Sequence, residues 1–234
     1  MIVRKSEDRG RGEFGWLKAR YTFSFSEYHD PEHMGFGVLR VINEDRIAGG
    51  GGFPTHGHRD MEIITYVIEG ALEHKDSMGN STIIRPGEVQ RMSAGTGVRH
   101  SEFNHFQDQT THLLQIWILP DKVGHPPGYG QKSFAEELAK GGLVKVVTPD
   151  GQGDTIAAHQ DFDLYALKSA QGGQTRFHPK KPSRSVWIQI VNGTVQANGQ
   201  ELSPGDAAAW VRGDELQLAW QPGAELLLFD LPPA

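Results

Sequence analysis

The chain has 234 residues, a formal charge of −6 and no cysteine, which excludes disulfides, thiolate metal sites, iron–sulfur clusters and cysteine nucleophiles together. The acidic balance and the lack of a long basic run argue against direct nucleic-acid binding or attachment to an acidic membrane. With 29 glycines and 13 prolines, the composition predicts many turns and few long helices, in one large β domain or two smaller ones.

No apolar run approaches the ~18–20 residues that span a bilayer. The first ten residues are charged from the fourth on and carry no apolar signal core, so a cytoplasmic location is expected.

Taken in order, residues 21–25 alternate apolar and polar side chains with period two, the pattern of a half-buried strand. Residues 38–42 predict a second strand, closed by a turn at Asn43, Glu44 and Asp45. Between them His29, Glu32 and His33 match the H-x-x-E-H spacing of some zinc peptidases. Pro31 would break the helix that such chemistry needs, so a loop is expected there. Glycines 49–52 are followed by neither Gly-Lys-Ser/Thr nor a helical pattern. They predict a bend in a curved sheet rather than a phosphate cradle.

From His56 onward short strands alternate with turn residues. Strand 62–68 ends at Gly70, strand 71–74 ends in the turn 76–80, and strand 81–84 ends at Pro86 and Gly87. Strand 89–92 follows, then a long apolar strand, 112–119, stopped by Pro120. This spacing indicates a sandwich or barrel. Residues 120–131 read as a Pro/Gly-rich connector. One helix of about nine residues comes next, with Ser133 as N-cap, Glu136 completing a capping box and Gly141 at its end. The basic cluster 180–184 is expected in a solvated loop.

The plan then repeats. Ile188–Gln196, with Gly193, parallels Tyr66–Glu73 with Gly70. Leu202, Pro204, Gly205 and Asp206 parallel Ile84, Pro86, Gly87 and Glu88. An all-β chain of two lobes follows: an N-terminal lobe over 1–131, a linking helix in 132–142 and a C-terminal lobe over 143–234. The second copy has no His-x-His and no His-x-Glu, only His178 upstream of Gly193, so no metal is expected in it.

Chemistry concentrates between Gly50 and Asn104. His56 and His58 lie near one end, His100 and Glu102 near the other, each pair spaced i, i+2. On a β-strand that spacing points both side chains to one face. With 11 histidines in 234 residues, one His-x-His pair is close to what chance supplies. The second pair carries the case, because a barrel can bring it alongside the first. Glu62, four residues after His58 and on the same strand face, stays open as an alternative carboxylate. Nitrogen and oxygen ligands without sulfur suit Fe, Mn, Co, Ni or Cu better than a closed structural zinc site.

Phe53, Met61, Met92 and Phe103 offer apolar surface near these residues, although alternation puts Phe103 on the opposite face. His74, His105, His125 and His159 sit beside turns or polar sequence and are expected to be exposed. His112 opens a buried strand and is expected to be hydrogen-bonded.

Gly50-x5-His56-x-His58-x3-Glu62-x7-Gly70 resembles the first cupin motif, and Gly97-x2-His100-x3-Asn104 resembles the end of the second. More closely, Tyr21–Phe25, Gly52–Glu62, Met92–Glu102 and Leu228–Pro233 make the chain similar to the pirin family of bicupins over nearly its whole length. The resemblance implies two jelly-roll-like cupin β-barrel lobes. It implies one divalent transition metal, iron first and Mn, Co, Ni, Cu or Zn otherwise, held by His56, His58, His100 and Glu102.

It also implies an activity like that of quercetin 2,3-dioxygenase. The flavonol hydroxyl would meet the metal, Glu102 would be catalytic by taking its proton, and O2 would open the ring with release of carbon monoxide. The expected partners are a flavonol and O2. Two rival readings come with the family: a metal-dependent protein-interaction module acting as a transcription co-regulator, and another small-molecule cupin enzyme.

Overall fold

The structure, a computed structural model, describes residues 1–233 and is built almost wholly of strands. It divides into two compact units that interleave along the chain. One holds Gly10–Ser133 and Ile156–Gln160; the other holds Met1–Arg9, Phe134–Thr155 and the chain from Asp161 on. The expected boundaries at 131 and 143 follow chain order, whereas the units exchange short segments. No helix among the described residues is long and apolar enough to cross a membrane.

The first unit is two sheets rather than a closed barrel. A seven-stranded sheet runs in the order Gly128–Ser133, Glu88–Ser93, Glu62–Glu69, Thr111–Ile118, Leu39–Ile47, Leu17–Tyr21, Gly10–Glu13. A four-stranded sheet runs Gly52–His58, Val98–Asn104, Leu72–Asp76, Ser81–Ile84. The central strands Glu62–Glu69 and Thr111–Ile118 are buried along almost their whole length, which explains their near-continuous apolar sequence. Leu17, Ile47, Val67, Leu72, Ile84 and Leu113 pack into one core cluster, each contributing about 1.5–3 kcal/mol by leaving water.

Four local expectations change. Asn43, Glu44 and Asp45 do not turn: they lie inside the strand Leu39–Ile47. Their turn propensity yields to cross-strand pairing on both sides. The strand expected at 21–25 ends at Tyr21. The end of the connector forms the strand Gly128–Ser133, paired with Glu88–Ser93. The helix is five residues, Ala135–Ala139, with Phe134 rather than Ser133 at its N-cap and no side-chain cap bond.

The second unit repeats the two-sheet plan. Its large sheet contains, in order, Ile2–Arg4, Ala207–Val211, Ser185–Asn192, Ala224–Leu231, Asp163–Ser169 and Val144–Thr148; its four-stranded sheet runs Gly173–Phe177, Leu216–Trp220, Val195–Ala197, Gln200–Leu202. The repeat is visible in backbone conformation. Gly70 and Gly193, at matching strand ends, have φ of +83° and +71°. A Cβ would stand 2.6 Å from Thr111 Oγ1 in the first case and 2.8 Å from Ala224 Cα in the second, so both positions require glycine. The basic cluster is not a solvated loop throughout. Arg184 is buried, with its guanidinium held by Asp230 at 2.6 Å and Asp161 at 2.8 Å.

Candidate metal centre and cavity

His56 and His100 sit directly opposite each other on adjacent antiparallel strands, and His58 opposes Val98. A register shift between His100 and Glu102 sets Glu102 against Phe53. The pairing brings three imidazoles together: ring centroids are 4.8 Å apart for His56–His58, 4.5 Å for His56–His100 and 4.9 Å for His58–His100. One nitrogen of each falls within 4.8 Å of the other two.

The hydrogen bonds orient these rings. His56 Nδ1 donates to the Pro54 carbonyl at 2.8 Å, which leaves a lone pair on its Nε2. That Nε2 lies 3.1 Å from His100 Nε2, and His100 Nδ1 is buried without a hydrogen-bond partner. Trp117 stands edge-on against His58 at 5.0 Å. Burial, then the neighbouring His56 and, for His100, also His58 and His74, hold His58 at about 4 and His100 at about 3. Both rings are therefore neutral, with lone pairs available at neutral pH. A cation shared between them would replace a crowd of imidazoles by ligand bonds, so the donor set fits a metal.

Glu102 approaches from the same strand as His100 and is buried. Gln115 Nε2 donates to both its oxygens, at 2.7 and 2.8 Å, and Thr65 Oγ1 lies 3.5 Å from Oε1. Burial pushes this carboxyl up to about 7, against the opposing pull of Gln115 and Thr65. Glu102 groups with His100 and His74 rather than with His56 and His58. Glu62 is turned elsewhere. It accepts from Ser93 Oγ at 2.8 Å and meets His159 Nδ1 at 3.2 Å.

His74 differs from its expected exposure. It is completely buried, with Nε2 3.0 Å from Asp76 Oδ2 and its ring centroid 5.3 Å from that of His100. Burial lowers its pKa despite Asp76. A readable signal was present: Leu72, His74 and Asp76 share one strand face, and Leu72 is apolar. His105, His125 and His159 are partly buried rather than exposed, paired with Glu73, Asp121 and Glu62 respectively. His112 bonds Glu44 at 2.9 Å, as its place on a buried strand suggests. His29 and His33 lie outside any helix, and His33 is tied to Asp30.

The imidazoles and Glu102 line a cavity of about 470 Å³, within the usual range for small-molecule sites. Trp16, Tyr21, Phe25, Phe53 and Trp117 form much of its wall. Of the apolar residues expected near the ligands, Phe53 belongs to this wall. Met61 and Met92 pack instead with Ile63, Ala94 and Val98. Asn43 and Asp45 also line the cavity. Burial, followed by the charges of Glu102 and Glu44, pushes Asp45 up to about 8.

The pairing register identifies the matching positions in the second unit. Phe177 opposes Leu216 there as His56 opposes His100, while Leu218 and Ala197 take the places of Glu102 and His74. All four belong to an apolar core. Both clusters of potential metal ligands among the described residues lie in the first unit.

Comparison with known proteins agrees with this plan. The family model described as Pirin matches residues 3–118, and that described as the quercetinase C-terminal cupin domain matches 145–231. A quercetin 2,3-dioxygenase of Escherichia coli K12 is 46% identical over 233 residues, covering 100% of this chain and 99% of the relative. The crystal structure of the bacterial pirin YhhW of Escherichia coli in complex with nickel(II) superposes with a TM-score of 0.94 at 44% identity, covering 100% of this chain and 99% of the other. A quercetin 2,3-dioxygenase structure from Acinetobacter baumannii shares the fold at 19% identity, with a TM-score of 0.79, covering 100% of this chain and 86% of that one.

Proposed function

This chain belongs to the pirin family of two-cupin proteins, and we propose that it is a metal-dependent dioxygenase opening the central ring of quercetin-like flavonols with O2 and releasing carbon monoxide. The observation that carries this reading is that three neutral imidazoles, a buried carboxyl and a wall of aromatic rings share one cavity.

His56, His58 and His100 would hold a divalent metal through their ring nitrogens, with Glu102 as fourth ligand. Iron is the first candidate, and the nickel(II) complex of the Escherichia coli pirin supports a divalent ion without choosing among N/O-binding metals. When bound, the metal would acidify a coordinated flavonol hydroxyl and polarise it for reaction with O2.

The chain's own residues supply the rest. Glu102 would accept the hydroxyl proton from its place beside the metal, which itself lowers the pKa of that hydroxyl. Gln115 fixes both oxygens of that carboxyl from the opposite sheet. Trp117 supports the His58 ring, while Phe53 and Trp16, packed edge to face at 5.0 Å, present flat apolar surface to the flavonol rings and exclude water.

The test is incubation of protein loaded separately with Fe, Mn, Co, Ni or Cu with quercetin, with and without O2. The expected result is an O2-dependent loss of flavonol absorbance with at least one metal, accompanied by carbon monoxide. Absence of that loss with all five rejects the reading.

A further inference from the structure

The small sheet of the first unit carries a third i, i+2 pair that the proposed ligand set leaves unused. His74 and Asp76 share one face of the strand Leu72–Asp76. In the antiparallel register His100 opposes Asp76, and Glu102 opposes His74. The pair His100 and Glu102 is thus flanked by the strand of His56 and His58 on one side and that of His74 and Asp76 on the other. His74 and His100 are 0% and 2% exposed, with ring centroids 5.3 Å apart.

Donors and acceptors fix where each ring carries its proton. Asp76 Oδ1 accepts from the Met78 and Asn80 amides at 2.9 and 3.1 Å, and Oδ2 accepts from Asn80 Nδ2 at 2.8 Å. The carboxylate so held is an acceptor, and His74 Nε2 donates to it at 3.0 Å. His74 Nδ1 is left as a lone pair, buried and without a partner. On the other ring, His56 gives its Nδ1 proton to Pro54 and accepts at Nε2, so His100 Nε2, 3.1 Å away, is the donor. His100 Nδ1 is then a second buried lone pair without a partner. Two neighbouring acceptors cannot bond each other.

The mismatch disappears when His100 gives its Nε2 lone pair to a cation shared with His56, because the neutral ring then carries its proton on Nδ1. That buried N–H requires an acceptor, and His74 Nδ1 is the unused one on the adjacent ring. We propose that His74, held by Asp76, is a positioning residue that accepts the Nδ1 proton of His100 and so fixes that ring in the tautomer that ligates through Nε2. The inference rests on His100 as a ligand in the metal reading above. The second unit supports it from within the same chain. There Phe177 and Leu216 stand for His56 and His100, while Ala197, and Gly199 two residues on, stand for His74 and Asp76. The copy without ligands also lacks the supporting pair, a link that a histidine kept only for packing would not show.

The test titrates Co(II) into metal-free full-length protein and reads affinity by competition with a chromophoric chelator. Proton NMR of the Co(II) protein reads the hyperfine-shifted, exchangeable N–H signals of the bound imidazoles. His74→Phe keeps a buried ring against Tyr129 and removes the acceptor; His74→Asn returns an amide oxygen near the place of Nδ1. In His74→Phe, affinity should fall about 10- to 100-fold and one exchangeable signal should shift and broaden. His74→Asn should recover part of both. Asp76→Asn, which lets His74 carry its own proton on Nδ1, should lose about 10-fold.

Parent affinity and parent N–H signals in folded His74→Phe overturn the proposal and leave the metal reading standing. Equal losses in the Phe and Asn variants with the N–H signals unmoved mark a role in packing and overturn it as well. If His74→Phe does not fold, Asp76→Asn decides, and parent affinity and signals in that variant overturn the proposal. Failure of the parent to bind Co(II) overturns both the proposal and the ligand set.

Discussion

Gln115→Leu tests the link between the two sheets of the first unit. Leucine nearly conserves the volume on the central strand Thr111–Ile118, so packing survives. What disappears is the pair of bonds from Gln115 Nε2 to the Glu102 oxygens at 2.7 and 2.8 Å, leaving Thr65 at 3.5 Å. Hydrogen bonds to an ionised group contribute about 1.5–3 kcal/mol. Only the part favouring the ionised over the neutral carboxyl matters for metal binding, and about 1.5–3 kcal/mol in all corresponds to roughly 10- to 100-fold. With Gln115 gone, burial pushes Glu102 further above its value of about 7, and a metal must displace that proton to use the carboxylate. Metal affinity at pH 7, measured by competition with a chromophoric chelator, should therefore fall about 10- to 100-fold while thermal unfolding stays cooperative. Unchanged affinity in a folded variant refutes Glu102 as a ligand that Gln115 prepares.

Three further predictions concern stability. His58 and His100 are held at about 4 and about 3, against about 6.5 when unfolded. Burial acts oppositely on Glu102 and Asp45, held up at about 7 and about 8 against about 4 when unfolded, so the two pairs largely offset each other between pH 4.5 and 6.5. From pH 6.5 to 8 the carboxyls act alone, the native state binds more protons, and the metal-free protein should lose stability as pH rises; a thermal midpoint that climbs over that range contradicts this. Asp76→Ala removes the partner of the fully buried His74 and the acceptor for Asn80 and the Met78 amide. It should destabilise by about 1–3 kcal/mol in urea unfolding. Leu228→Ala, in the apolar core of the second unit, should cost about 2–5 kcal/mol. That loss would appear as a lower denaturant midpoint, and a change below about 1 kcal/mol would mean that the core collapses around the gap.

Much of the site was legible because its residues come as i, i+2 pairs on strands. His56 with His58, and His100 with Glu102, announce a shared face before any pairing is known. The repeat was legible too, since Gly70 and Gly193 occupy left-handed positions that only glycine fills without strain. What sequence could not supply depends on pairing partners far along the chain. Asn43, Glu44 and Asp45 have the composition of a turn, yet they form the middle of a strand whose inner face lines the cavity. Gln115 carries no local signal of its role, which exists only because the opposite sheet brings Glu102 to it. Likewise, Ile2–Arg4 belongs to the second unit through pairing with Ala207–Val211. The rule that misled for His74 was proximity to a turn. Its burial was set by alternation from Leu72 instead.

The central claim is that His56, His58, His100 and Glu102 hold one metal in this cavity. An anomalous difference map from crystals of metal-loaded protein, recorded at the metal's absorption edge, tests it most directly. One peak per chain is expected, within about 2.0–2.3 Å of a nitrogen of each of the three imidazoles and of a Glu102 oxygen. A peak held by His74 and His100 away from His56 and His58, or none in the cavity of a loaded crystal, contradicts the account.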